Sequence, residues 1–112
     1  MARVASPGDF TVAVEGLGDF TFGRRTMRDE FAIAAEYSRL TEGEADPESR
    51  LAYLARAYAA LKVLLVSGHD GWKVTELEPQ ENASYTQMEL VYEALCVKEA
   101  DFRKKPGAVG QG

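Results

Sequence analysis

Apolar and polar residues alternate near the start of the chain. Phe10, Val12 and Val14 fall on one side of an extended segment, and Thr11, Ala13 and Glu15 on the other. A period of two is that of a half-buried β-strand. Gly16-Leu17-Gly18-Asp19 interrupts the alternation and Phe20-Thr21-Phe22 resumes it. Two short alternating runs around a glycine-containing loop predict a β-hairpin. Its apolar face of Phe10, Val12, Val14, Phe20 and Phe22 needs a cover, because a lone hairpin is marginal in water; helices must supply it.

The period lengthens at Thr26. Thr26 is placed to cap a helix, with Asp29 and Glu30 in a first turn where negative charge suits the dipole. Met27, Phe31, Ala34 or Ala35, and Tyr37 with Leu40 form its expected apolar stripe, and Gly43 its end. A second helix is expected to start with Asp46 as N-cap and Pro47 at the first helical position, where the missing N–H costs nothing. Leu51, Leu54, Tyr58, Leu61 and Leu65 repeat along it at three and four residues. From Leu51 to Val66 the only charges are Arg56 and Lys62, and six or more further Ala, Val and Leu residues spread apolar surface beyond one stripe. A helix of that kind is central to its domain or faces a partner. Ser67-Gly68 should stop it, His69-Asp70-Gly71 should turn, and Trp72 to Leu77 should be short, extended or irregular before Pro79. The last helix is expected to begin between Asn82 and Ser84, where Ser84-Tyr85-Thr86-Gln87 has capping-box spacing. Tyr85, Met88, Val91 or Tyr92, Leu95 and Phe102 would be its buried stripe, and Pro106 its stop. The pattern as a whole predicts an α+β, mainly helical fold: an N-terminal β-hairpin packed on about three α-helices. One globular domain would occupy 10–104, with loose ends at 1–9 and 105–112.

Composition narrows the function classes. The chain has 112 residues, 13 Lys plus Arg against 18 Asp plus Glu, a formal net charge of −5, one His and one Cys. That is the size of one domain. A single cysteine cannot form an internal disulfide, which suits a reducing compartment. One His and one Cys leave no tetrahedral zinc set. Net negative charge argues against a general nucleic-acid binder, whose affinity comes from neutralising phosphates. Residues 1–9 lack the apolar run of a signal peptide. Ala57 to Val66, the longest apolar stretch, is far below the ~20 residues that span a bilayer. A soluble, cytosolic chain with no membrane partner is expected.

No enzyme chemistry is organised by sequence. Gly16-Leu17-Gly18 lacks the third glycine of a dinucleotide fingerprint, since position 21 is Thr, and no helix opens there. His69-Asp70 are adjacent residues of a glycine-flanked turn with no nucleophile beside them. Cys96 reads as an inert thiol of an amphipathic helix. Asn82-Ala83-Ser84 fits a glycosylation triplet but also a helix start. The carboxylates Asp29, Glu30, Glu42, Glu44, Asp46 and Glu48 read as solvated charge around helix starts and a loop. No cofactor or metal is implied. Partner-facing candidates remain: Arg24, Arg25 and Arg28, which lie beside the positive end of a helix dipole where cations are not favoured for stability; Trp72, of a type enriched in binding hot spots; and Tyr58 and Lys62 on the over-apolar second helix.

Several blocks together resemble a known family. They are Val14-Glu15-Gly16-Leu17-Gly18-Asp19-Phe20-Thr21-Phe22, Arg24-Arg25-Thr26-Met27-Arg28-Asp29-Glu30, Glu36-Tyr37-Ser38-Arg39-Leu40-Thr41-Glu42-Gly43, Leu61-Lys62-Val63-Leu64, Gly71-Trp72, and Lys98-Glu99-Ala100-Asp101-Phe102-Arg103. In this combination the chain resembles the small tail assembly chaperones of long-tailed bacteriophages and prophages. The resemblance implies a non-enzymatic protein of the bacterial host cytoplasm. It would bind the long, helical tape-measure protein, keep it soluble while the tail tube assembles, and be absent from the mature virion. The major tail protein and self-association are further expected contacts. Many such proteins exist in a short and a frameshifted longer form, and this chain would correspond to the short one. A small structural phage protein, either a head–tail connector or a tail component, is the alternative.

Overall fold

A computed structural model describes residues 3–80 and 82–104, with the side chains of residues 82 and 104 left undescribed. Strands β1 (Phe10–Val14) and β2 (Gly18–Phe22) are followed by helices α1 (Met27–Leu40) and α2 (Ser49–Leu64), strand β3 (Leu65–Ser67), and helix α3 (Asn82–Lys104). Single 3₁₀ turns occupy His69–Gly71 and Val74–Glu76 between β3 and α3. The hairpin and three α-helices expected from the periodicity are all present. The third strand is an addition. Residues 105–112, expected to be a loose tail, lie outside the described part.

The sheet is antiparallel in the order β1-β2-β3. Val12 faces Phe20 and Phe10 faces Phe22 in the β1–β2 register, so the hairpin's apolar residues share the face that the alternation assigns them. Gly16 takes a φ of 85° in the turn, where the Leu17 N–H donates to Val14 O at 2.9 Å; a side chain would resist that conformation. On the other face the Thr11 and Thr21 hydroxyls pair at 2.9 Å. The expected continuation of α2 through Val66 is not observed. The helix ends at Leu64, and Leu65 turns to extended backbone while still donating to Leu61 O. Leu65 and Ser67 then pair with Phe22 and Thr21 of β2. The sheet edge offers those apolar residues backbone partners that a longer helix would forgo.

The core lies between the sheet and α2, closed by α3. Phe20, Phe22, Leu61, Leu64, Val91 and Leu95 are fully buried, and so are Ala57, Ala59 and Ala60 of α2. Phe10 packs edge-on against Phe102 of α3 with ring centroids 5.0 Å apart. Tyr85, expected in the buried stripe of α3, is instead partly exposed, with Arg50 of α2 over its ring.

Helix α1 departs further from its expected face. Met27 and Phe31 are 69% and 70% exposed, while Ile33 and Asp29 are buried. The helix carries two apolar faces, and the one containing Ile33 and Tyr37 packs into the core. Asp29 is buried because it is fully occupied. Its carboxylate accepts the Thr26 N–H at 2.8 Å, the Thr26 hydroxyl accepts the Asp29 N–H at 3.2 Å, and Arg3 donates to it at 2.8 Å. Thr26 therefore caps α1 as expected, in a reciprocal capping box. Arg3 belongs to the segment expected to be loose, yet its guanidinium also reaches Val63 O and Arg24 O. It crosses so close above Gly23 that a Cβ there would collide with it.

The other helix ends also differ in detail. At the end of α1 the Gly43 N–H closes onto Ser38 O at 2.8 Å, the 6→1 bond of a Schellman cap. The left-handed residue of that cap is Glu42, with a φ of 55°. Helix α2 begins two residues later than Asp46-Pro47 suggests. Glu48 is its N-cap, and its carboxylate accepts the Leu51 N–H at 3.0 Å.

Two outcomes follow for stability. Replacing Glu42 with Gly removes the left-handed strain and should raise unfolding free energy by about 0.5–1 kcal/mol, read from urea denaturation. Burial pushes the Asp29 carboxyl up, but the hydrogen bonds from Arg3 and Thr26 outweigh it and hold the group below its ordinary value. Its contribution is therefore complete above the unfolded-chain value of about 3.9 and is lost as pH falls through the lower folded-state value. Asp29→Asn should be less stable at neutral pH and show a flatter loss of stability between about pH 4 and pH 2.

Candidate functional site

The three arginines before and within α1 have different surroundings. Arg25 forms a two-pronged bond to Glu99 of α3, at 3.2 and 2.9 Å, with Glu30 3.7 Å away. Burial works against its charge, but the bond to Glu99 and the nearby negative charge raise its pKa above the ordinary value. Arg24 is exposed and lies 4.0 Å over the Phe102 ring. Arg28 makes neither an ion pair nor an aromatic stack among the described residues. Arg24 and Arg25 thus join the hairpin–α1 connection to α3, which accounts for two cations beside a helix N-terminus.

Trp72 and Lys62 meet at a second location. Both line a cleft of about 280 Å³ between the end of α2, β3 and the 3₁₀ turn at Val74–Glu76. Trp72 is half-buried, and its ring stands edge-on to Phe20 at 5.3 Å. Lys62 reaches across to Glu36 of α1 at 3.2 Å, and Arg39 pairs with the same carboxylate. The bond from Arg39 is the largest influence holding Glu36 below the ordinary carboxylate value. His69 and Asp70 sit in an exposed turn, where Asp70 takes a φ of 57°.

Tyr58 belongs to a third and more apolar surface. A groove of about 270 Å³ is lined by Leu40 at the end of α1, Leu51, Leu54, Ala55 and Tyr58 of α2, Leu77 and Pro79 of the following segment, and Tyr85 and Met88 of α3. Leu51 is 42% exposed and Tyr85 40%. On α2 the spacing 51, 54, 55, 58 is one helical face. The far wall is laced to α3 by two side-chain bonds. The Trp72 indole N–H donates to Gln87 Oε1 at 3.1 Å, and the Ser84 hydroxyl donates to Glu78 O at 2.6 Å. Ser84 and Gln87 therefore do not form the capping box their spacing suggests; the 72–78 segment takes both side chains. Arg50 stands 5.6 Å over the Tyr85 ring and 3.7 Å from Glu89.

The sequence-derived candidates are consequently split among three places. Arg24, Arg25 and Arg28 lie at the hairpin–α1 connection, Lys62 and Trp72 at the more polar cleft, and Tyr58 in the apolar groove. Leu40, Leu77, Pro79 and Tyr85 were not foreseen as one surface with Tyr58, because they come from four chain segments. The only sequence signal was the excess of apolar residues on α2.

The lining of the groove is apolar apart from Tyr58, Tyr85 and a Ser84 hydroxyl committed to Glu78 O. Cys96 is half-buried on α3. The Tyr92 phenol is pushed up to about 12, by burial first and by the neighbouring Cys96 thiol second. Among the described residues no group of His, Cys, Asp and Glu is placed to hold a metal ion, and no helix is long and apolar enough to cross a membrane. No protein-family model matches the chain, and no curated protein or solved structure matches it significantly.

The lacing of the groove wall is directly measurable. Ser84→Ala leaves Glu78 O without its partner and should cost about 0.5–1.5 kcal/mol. Hydrogen exchange should speed up at residues 74–79 while the hairpin amides keep their protection; equal exchange in both regions would mean that the bond does not hold the wall.

Proposed function

We propose that this chain is a tail assembly chaperone of a long-tailed phage or prophage, a non-enzymatic protein that binds the tape-measure protein and keeps it soluble during tail tube assembly. It acts in the cytoplasm of the bacterial host and is absent from the mature virion. The observation that carries this reading is the open apolar groove at Leu51, Leu54, Tyr58 and Tyr85. An amphipathic helix laid into a hydrophobic groove is a recurrent recognition mode, and the tape-measure protein is a long helical client. A chaperone also needs an exterior that keeps a loaded complex in solution, and a net charge of −5 supplies it.

The blocks that carry the family resemblance support the reading in a second way, because they meet one another in space. Arg25 of one block bonds Glu99 of another, Arg24 covers Phe102, and Thr26 with Asp29 forms the cap of α1. These contacts hold the fold together, while of the groove-lining residues Leu40 lies inside those blocks and Leu51, Leu54, Tyr58 and Tyr85 fall outside them. Client preference is then free to differ between members.

Co-expression with the neighbouring tape-measure gene is the test. The tape-measure protein should become several-fold more soluble and co-purify with the chain, and Leu51→Asp should abolish both effects while the variant stays folded. A tape-measure protein equally soluble alone would reject the reading. Mass spectrometry of purified particles should find none of the chain; a fixed copy number would assign it to the virion as a connector or tail component.

A further inference from the structure

The surroundings of the groove carry a charge pattern that its lining lacks. Helix α1 ends at Leu40 and the α2 face begins at Leu51, both lining residues. The connection between these two points therefore leaves from the groove edge and returns to it. It contains Glu42, Glu44, Asp46 and Glu48, all exposed, and no Lys or Arg from Thr41 to Ser49. On the opposite bank Glu78 lies between the lining residues Leu77 and Pro79. None of these five carboxylates has an ion-pair partner among the described residues. The nearby cation, Arg50, already faces Glu89. Glu48 is partly offset by the Leu51 N–H and by Arg50, and with the other four carboxylates it leaves an apolar floor inside a rim that is negative on balance.

We infer that the groove selects an amphipathic helical segment whose apolar face is flanked by Lys or Arg. That the groove is a docking site is taken from the chaperone reading; the chemistry of the docked segment is what is added. Such a segment buries its apolar face on Leu51, Leu54, Tyr58 and Leu77 while its flanking cations meet the rim, the arrangement by which electrostatic complementarity sets partner choice and encounter rate. An acidic helix of equal apolarity meets like charge and is rejected. A second copy of this chain is a poor occupant, since it brings the same rim and a net charge of −5.

Designed peptides test this separately from the tape-measure experiment. Two synthetic amphipathic helices of about 18 residues, long enough to hold helical structure, share one Leu face at i, i+3, i+4 and i+7. One carries Lys and the other Glu at the flanking positions. In fluorescence anisotropy at about 50 mM salt the Lys peptide should bind about tenfold or more tightly than the Glu peptide, and the gap should shrink to about twofold at 0.5 M salt. The exposed double variant Glu44→Lys, Asp46→Lys should narrow or reverse the preference with its melting curve unchanged. Leu51→Asp should weaken binding of the Lys peptide.

Equal affinity for the two peptides would overturn the inference, as would a preference that survives the double charge reversal. Concentration-dependent self-association abolished by Leu51→Asp would also overturn it, by giving the groove to a second copy. A tape-measure protein held soluble by a chain that ignores peptide charge would sink this inference and leave the chaperone reading standing. A clear Lys preference in a chain that does nothing for the tape-measure protein would do the reverse.

Discussion

The alanines of α2 set the distance at which the rest of the fold meets. This helix touches α1, α3, β3 and the 74–76 turn, and Ala55, Ala57, Ala59 and Ala60 are buried on more than one of its sides. A helix surrounded in this way has no room for a single thick stripe of large residues. Alanine lets neighbouring backbones approach while losing no side-chain entropy on burial. The space above it is filled chiefly by Phe20 and Phe22 from the sheet and by the fully buried Leu61 and Leu64 from the helix. The same arrangement explains the groove. Leu51, Leu54 and Tyr58 share one face of the first three turns of α2, and among the described residues that face is only partly covered.

Charged contacts do a different task. Three of them join segments far apart in sequence: Arg3 to Asp29, Arg25 to Glu99, Lys62 to Glu36. The first two involve carboxylates shielded from solvent, and such groups require their full set of partners, since a buried charge left alone is strongly destabilising. The third is more exposed and holds less. The hairpin–α1 connection is consequently fixed at both faces, by Arg3 from the start of the chain and by Glu99 from near its end.

Legibility in the sequence followed the range of the forces involved. The hairpin was readable because alternation, glycine positions and register are local, and the Thr26 cap was readable for the same reason. The face of α1 was readable only in part: Tyr37 of the expected stripe packs on the core, whereas Met27 and Phe31 are exposed. Met27-Phe31 and Ile33-Tyr37 are both apolar at helical spacing, and only the position of α2 selects the second pair. Strand β3 was hidden because Leu65-Val66-Ser67 continues an apolar helix in composition and becomes a strand only beside Phe22. Ser84 and Gln87 carry the letters of a cap, but Glu78 and Trp72 compete for them from outside the helix. The groove was legible only as surplus apolar residues on α2; its other walls come from segments that no local pattern brings together.

The junction at Leu65, where helix passes to strand with no residue between, also bears on how this chain can change length. One residue added there would rotate the strand by a helical step of about 100° or swap its two faces, sending Leu65 away from Phe22. The middle of the connection, between the α1 cap at Glu42–Gly43 and the α2 cap at Glu48, is under no such restriction, and lengthening a loop costs only about 0.6 kcal/mol for each doubling. Insertions and deletions are thereby channelled toward the acidic connection at the groove edge, so the rim can be rewritten over evolutionary time while the packing beneath it stays as it is.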